Sequence, residues 1–209
     1  WSAEITHAGQ VPSVVRRAFQ EARTSPTGPV FVGMSANAFD DIADVNIAPS
    51  TEMAANSSAD PAAIDEVVGL LSRAEKPIMI IGDRLAGANV DAVRLAETAG
   101  IPVYGHGSAE VNFPASHPLW QGNLSVRAPQ AIEAIRSADL ILAIGCTVFD
   151  DFFYQPGSVV GPGTSLVHID SDPGSIGKSE PTDIGILAAP PAVVSQLADA
   201  VSEIFTGTR

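Results

Sequence analysis

Between Gln10 and Arg23 the apolar residues Val11, Val14, Val15, Ala18, Phe19 and Ala22 recur at helical spacing and make one stripe. The spacing predicts a helix that needs a partner surface. A breaker cluster, Ser25-Pro26-Thr27-Gly28-Pro29, separates it from the apolar run Val30-Phe31-Val32-Gly33-Met34, which reads as a buried strand. From Ser35 to Asp60 periodicity is lost and Ala, Asn, Asp, Ser and Pro dominate, as in a solvated linker.

Past the linker the pattern is regular. Asp60-Pro61 supplies an N-cap and a proline at the first helical position, and Ile64, Val67, Val68 and Leu71 carry the stripe of the helix they open. Lys76-Pro77 stops it. A strand over Ile78–Gly82, a helix over Ala88–Ala99 ended by Gly100, and a strand over Ile101–Tyr104 follow. An irregular stretch then runs to Gln121, before a helix around Ala128–Arg136 and strands at Leu140–Gly145, Ser165–Ile169 and Ile184–Leu187. Val193, Val194, Leu197, Val201 and Ile204 mark a closing helix. Continuous apolar strands alternating with amphipathic helices predict an α/β fold: a doubly wound, mostly parallel sheet with helices on both faces. The expected organisation is a helix–strand piece over 1–40, a linker over 41–59 and the α/β body over 60–209.

Composition narrows the classes. Apolar residues make up 45% of the 209 positions and charged residues 17%, so the chain folds rather than remaining disordered. A formal net charge of −13 argues against contact with nucleic-acid phosphates or an anionic membrane. No apolar run reaches the length of a membrane span and no signal sequence is evident, which predicts a cytoplasmic protein. The lone Cys146 excludes an internal disulfide framework. The chain begins at Trp1 rather than Met, which leads to the expectation of a piece of a longer polypeptide.

In a doubly wound sheet ligands bind outside the carboxyl ends of the strands. The loop Gly82-Asp83-Arg84-Leu85-Ala86-Gly87 has neither the dinucleotide spacing nor the Lys-Ser/Thr of a phosphate loop. It reads either as a weak phosphate site or as turn glycines. Gly105-His106-Gly107-Ser108 lets backbone approach a ligand or simply turns, and His106 is an acid–base candidate or a solvated turn residue. No Gly-x-Ser-x-Gly elbow is present, Cys146 reads as packing, and the four histidines show no metal-ligand spacing. Asp170-Ser171-Asp172 lacks the rest of a calcium loop; Asp170 either meets a ribose hydroxyl or caps the next turn. The candidates for residual nucleotide binding are thus Gly82, His106, Gly107 and Asp170, with no metal ligands and no catalytic residue expected. After Leu140–Gly145, Phe149, Phe152, Phe153 and Tyr154 place four rings within six residues, a pocket wall or a packed loop.

The blocks Lys76–Gly82, Leu95–Val103, Phe113–Leu119, Ala138–Gly145 and His168–Pro173 occur in one order over most of the chain. In these residues the chain resembles the central domain of thiamine diphosphate-dependent enzymes, the group of acetolactate synthase, oxalyl-CoA decarboxylase and benzoylformate decarboxylase. Gln10–Val32, with Gly28-Pro29-Val30, is similar to the last helix and strand of that family's pyrimidine-binding domain. Ala88-Asn89, Val148-Phe149, Tyr154–Gly157 and Pro162-Gly163-Thr164 are most similar to benzoylformate decarboxylase.

The resemblance implies a Rossmann-like domain, of the NAD/FAD-binding type shared with NAD-dependent deacylases. It further implies a largely structural role in a 2-oxo acid decarboxylase or carboligase that uses thiamine diphosphate and Mg2+. The family's catalytic glutamate and its Gly-Asp-Gly…Asn motif are absent from these residues, so neither cofactor is expected on this chain. FAD is not expected either. The loop residues Phe149, Asp151, Phe152 and Tyr154 would line the substrate pocket, with Phe152 near the position where benzoylformate decarboxylase-like sequences carry an active-site histidine. The implied partners are the pyrimidine- and diphosphate-binding domains of the same enzyme, a small 2-oxo acid and further copies in a homo-oligomer. The alternative is an ADP-, FAD- or NAD-binding module of related fold.

Overall fold

The computed structural model describes residues 1–205 except 52, 54, 55, 108, 109, 111, 126, 127 and 150–155. It divides into two compact units, Trp1–Ala55 and Asn56–Arg209.

In the first unit, β1 (Ser2–Ile5) and β2 (Phe31–Met34) pair in parallel, with α1 (Val11–Arg23) between them in sequence and packed on both. The strand expected at Val30–Met34 thus has one partner, but it is not buried: Phe31 is exposed and Val32, Gly33 and Met34 are half-buried. Ala3 and Ile5 turn inward while Ser2 and Glu4 are exposed, a four-residue alternation too short to stand out in sequence. The α1 stripe is covered unevenly: Ala18 is buried, Val11, Val14 and Val15 are half-buried, and Phe19 is 58% exposed. Within the stretch expected to be linker, Ala36–Asp40 forms a short helix, α2. It is held where it starts because Ser35 N–H donates to the Ile5 carbonyl and Asn37 Nδ2 to the Thr6 carbonyl. An apolar groove of about 610 Å³ runs along α1 and is lined by Val11, Val15, Phe19, Ile42, Val45 and Ile47, among others.

The second unit is a doubly wound α/β sheet. Its strands are β3 (Pro77–Ile81), β4 (Val103–His106), β5 (Trp120–Leu124), β6 (Leu140–Ile144), β7 (Ser165–Asp170) and β8 (Ile184–Leu187). They run β5-β4-β3-β6-β7-β8, and every pairing is parallel. The chain winds outward from β3 to β5, then returns to the middle and winds the other way from β6 to β8. The strand order reverses between β3 and β6.

The helices are α3 (Pro61–Arg73), α4 (Asn89–Ala99), α5 (Pro129–Ser137) and α6 (Pro190–Phe205). Met79 and Ile81 of β3 and Leu142 and Ile144 of β6 face a core built with α3, α4 and α6; Ile78, Ile80, Ile141 and Ala143 face a second core built with Ala131 and Ile135 of α5. Both faces of the central strands are thus apolar, the reason these strands read as continuous hydrophobic runs. Asp60 caps α3 as expected, its carboxylate accepting from Ala62 N–H at 2.9 Å. Residues expected to be linker also join this unit: Ala59 is buried and exchanges hydrogen bonds with the Gln196 side chain of α6.

Two expectations are corrected. β4 lies two residues further along than Ile101–Tyr104, so Gly105 and His106 belong to a strand. A further strand, β5, starts at the end of the stretch expected to be irregular and runs past it to Leu124; Gly122, at φ +89°, and a register shift against β4 interrupt its alternation.

Candidate functional site

The reversal between β3 and β6 brings the loops after these strands together at the carboxyl edge, the position where doubly wound sheets receive ligands. Here the two loops touch backbone to backbone. A Cβ on Gly82 would lie 2.5 Å from Cys146 Cβ, and a Cβ on Gly145, which sits at φ +65°, would lie 2.8 Å from Leu85 N. Gly82 N–H donates to the Ile144 carbonyl and Arg84 N–H to the Gly145 carbonyl, both at 3.1 Å.

From this crossing Arg84 reaches over to the end of β7. Its Nε and Nη2 donate to the Asp170 carboxylate at 2.7 Å each, and Nη2 also donates to Ser175 Oγ at 3.1 Å and Thr147 Oγ1 at 3.4 Å. Asp170 is wholly buried and the Arg84 side chain 30% exposed. Burial of Arg84 works against its charge, but the hydrogen bond and charge of Asp170 outweigh that and hold its pKa above the ordinary value. Asp170 also accepts from Asp172 N–H at 2.8 Å, and Asp172 in turn accepts from Gly174 N–H and Ser175 Oγ. These last two bonds lower the Asp172 pKa. The Asp-Ser-Asp triplet is therefore a capped turn tied to an arginine.

Beneath the crossing, His168 is completely buried on β7. Its Nε2–H donates to the Cys146 carbonyl at 2.7 Å, while Nδ1 has no partner. Burial lowers its pKa, so the ring is neutral at pH 7. The buried Cys146 thiol points at the Ile80 carbonyl and is pushed up to about 12, first by burial and then by the charge of Asp170. It is no nucleophile at neutral pH.

The described residues among those singled out in sequence, Gly82, His106, Gly107, Phe149 and Asp170, follow the carboxyl ends of their strands or close them. Gly82 approaches Cys146. His106 ends β4, and Gly107 N–H is taken by the Leu124 carbonyl. Gly105 is close-packed, since a Cβ there would meet Asn123 and Trp120 of β5. Phe149 sits at φ +58°, a left-handed conformation uncommon for a side-chain-bearing residue, and its half-buried ring packs on the α5-side core. Asp151, Phe152 and Tyr154 lie outside the described residues. Sequence reasoning missed Arg84, Thr147 and Ser175, which sit in three different loops. It also missed Asn112, whose Nδ2 donates to the Gly82 carbonyl at 2.7 Å. A charged residue three positions after the central strand β3 was the one available signal, for Arg84.

These donors do not fit a dinucleotide, thiamine diphosphate or Mg2+. The N–H groups of Gly82, Arg84, Leu85, Ala86 and Ala88 are all spent on carbonyls of the chain itself, leaving no row of amides for a pyrophosphate. The Asp170 carboxylate that would meet a ribose is spent on Arg84 and Asp172. Among the described residues no group of three or more His, Cys, Asp or Glu side chains could hold a metal ion. None of their helices is long and apolar enough to cross a membrane.

Residues 64–197 match the family model for the central domain of thiamine pyrophosphate enzymes. The chain is 30% identical over 187 residues to a benzoylformate decarboxylase of Pseudomonas aeruginosa, covering 86% of this chain and 35% of that protein. It is 28% identical over 193 residues to a probable acetolactate synthase large subunit of Methanocaldococcus jannaschii, covering 88% of this chain and 32% of that one. Among solved structures, a thiamine diphosphate-dependent 4-hydroxybenzoylformate decarboxylase of Rhodococcus jostii superposes with a TM-score of 0.82 at 29% identity, over 96% of this chain and 39% of that chain. The chain thus spans about a third of the length of the curated relatives it matches.

Proposed function

The chain belongs to the thiamine pyrophosphate enzymes as their central domain, and on that premise we propose that it is the middle part of a longer 2-oxo acid decarboxylase or carboligase, to which it contributes shape rather than chemistry. One observation carries this reading. The sheet edge where such folds bind ligands is closed on itself, through the Gly82–Gly145 crossing and the Arg84–Asp170 pair. The nucleotide-binding alternative is not favoured. Thiamine diphosphate and Mg2+ would be held by other domains of the same polypeptide, and proton transfer would likewise fall to residues outside this chain.

In this reading Trp1–Asp40 is the end of a pyrimidine-binding domain. A two-stranded sheet with Phe31 70% and Phe39 72% exposed supports it, since the remaining strands of such a domain would cover these surfaces. The whole enzyme would work as a cytoplasmic homo-oligomer on a small 2-oxo acid. Its pocket wall would include the segment after β6, with Phe149, Asp151, Phe152 and Tyr154. Two relatives named for benzoylformate substrates favour a bulky aromatic group on that acid.

The test uses the full-length polypeptide with thiamine diphosphate and Mg2+, and compares decarboxylation of benzoylformate with that of pyruvate. Phe152→Ala should change the ratio of kcat/KM between the two by more than about tenfold, roughly 1.4 kcal/mol of differential transition-state binding. An equal change for both acids would assign Phe152 to packing.

A further inference from the structure

The segment after β6 leaves the sheet at Gly145, and the described residues at its root are fixed from two sides. Phe149 is anchored in the α5-side core, and Val148 before it is buried. On the other side Thr147 Oγ1 meets both Arg84 Nη2 at 3.4 Å and Ser175 Oγ at 3.1 Å. Arg84 is the hub: its backbone N–H holds Gly145, its guanidinium holds the end of β7 through Asp170, and the same Nη2 reaches Thr147 and Ser175. A single side chain thereby joins the loops after β3, β6 and β7. Its planar fork is needed for this, because one nitrogen pair grips Asp170 while Nη2 still faces the two hydroxyls; a lysine ammonium has no such geometry.

We infer that Arg84 is a positioning residue, which fixes the root Thr147–Phe149 and so sets where Phe149 stands against the substrate. This rests on the reading above that Phe149 belongs to the substrate-pocket wall. Arg84 touches no reacting group. It acts through Thr147, and the wholly buried Asp170 keeps its fork from turning.

The experiment uses the full-length polypeptide in three forms: wild type, Arg84→Lys, which keeps the charge and loses the fork, and Thr147→Val, which keeps the shape and loses the hydroxyl. Two readouts are taken. Amide hydrogen exchange is followed across residues 145–149, with residues 193–201 of α6 as the internal reference. KM and kcat are measured for benzoylformate and for pyruvate. Both variants should speed exchange at the root by about tenfold or more while α6 is unmoved, as expected of a local opening. KM for benzoylformate should rise about fivefold with kcat within about twofold, the pattern of lost binding rather than lost chemistry. Unchanged exchange in both variants overturns the clamp. Faster exchange with KM unmoved for both acids leaves the clamp in place, overturns its role toward substrate and falls on the pocket reading itself.

Discussion

Asp170 has no exposed surface, so its charge depends on Arg84 for compensation. Breaking a buried pair from one side leaves the other charge stranded, and Arg84→Met should destabilise the chain by about 3 kcal/mol. Adding Asp170→Asn removes the stranded charge, so the double variant should recover a large part of that loss in denaturant titrations. His168 gives a second prediction, in pH. Its folded pKa lies below the usual 6.5 because burial disfavours the imidazolium. The unfolded chain therefore binds the proton first as pH falls, and the stability present above pH 6.5 is lost below it, down to the folded pKa, with a slope of up to about 1.4 kcal/mol per pH unit. His168→Gln keeps a donor toward the Cys146 carbonyl and should abolish this component below pH 6.5. An unchanged slope would place the titrating group elsewhere. Other family-like residues are structural on the same reasoning. Asp139 accepts from the N–H groups of Glu75 and Lys76, and Phe113 stacks on Trp120 with His117 against its edge.

Among the elements, the switch-point glycines matter more than the turn glycines. Gly100 ends α4 at φ +66° with open space around it, so Gly100→Ala should cost only the left-handed strain, about 1 kcal/mol. Gly145 has a similar φ, but its Cβ would run into the backbone of Arg84 and Leu85. Gly145→Ala should therefore cost at least about 2 kcal/mol more, read from the same unfolding curves. Equal costs would mean that the loops after β3 and β6 part freely. Sequence and structure agree best where burial is two-sided, at β3, β6 and β7, because there the apolar runs are unbroken. They part at edges and short pieces: β1 has four residues, α2 has five, and β5 carries a glycine at positive φ. Of the candidate site, the placement of Gly82, Gly145 and Asp170 at strand ends was legible. The Arg84–Asp170 bond was not, since its partners stand 86 residues apart and no local spacing encodes them.

At the scale of the whole molecule the chain couples a closed α/β unit to a smaller one that leaves apolar side chains exposed. Ile42 is 95% exposed and Ile47 80%, values that fit surfaces meant to be covered by further chain. The α/β unit, by contrast, buries both faces of its central strands and spends the donors of its ligand edge internally. On the function proposed above, this chain shapes and spaces, and the cofactor would sit elsewhere in the same polypeptide. Calorimetric titration with thiamine diphosphate and Mg2+ tests this division most directly when run on the full-length protein and on residues 1–209 side by side. The full-length protein should bind saturably and the 209-residue chain should give no binding heat. Saturable binding by the 209-residue chain at micromolar affinity would contradict the account.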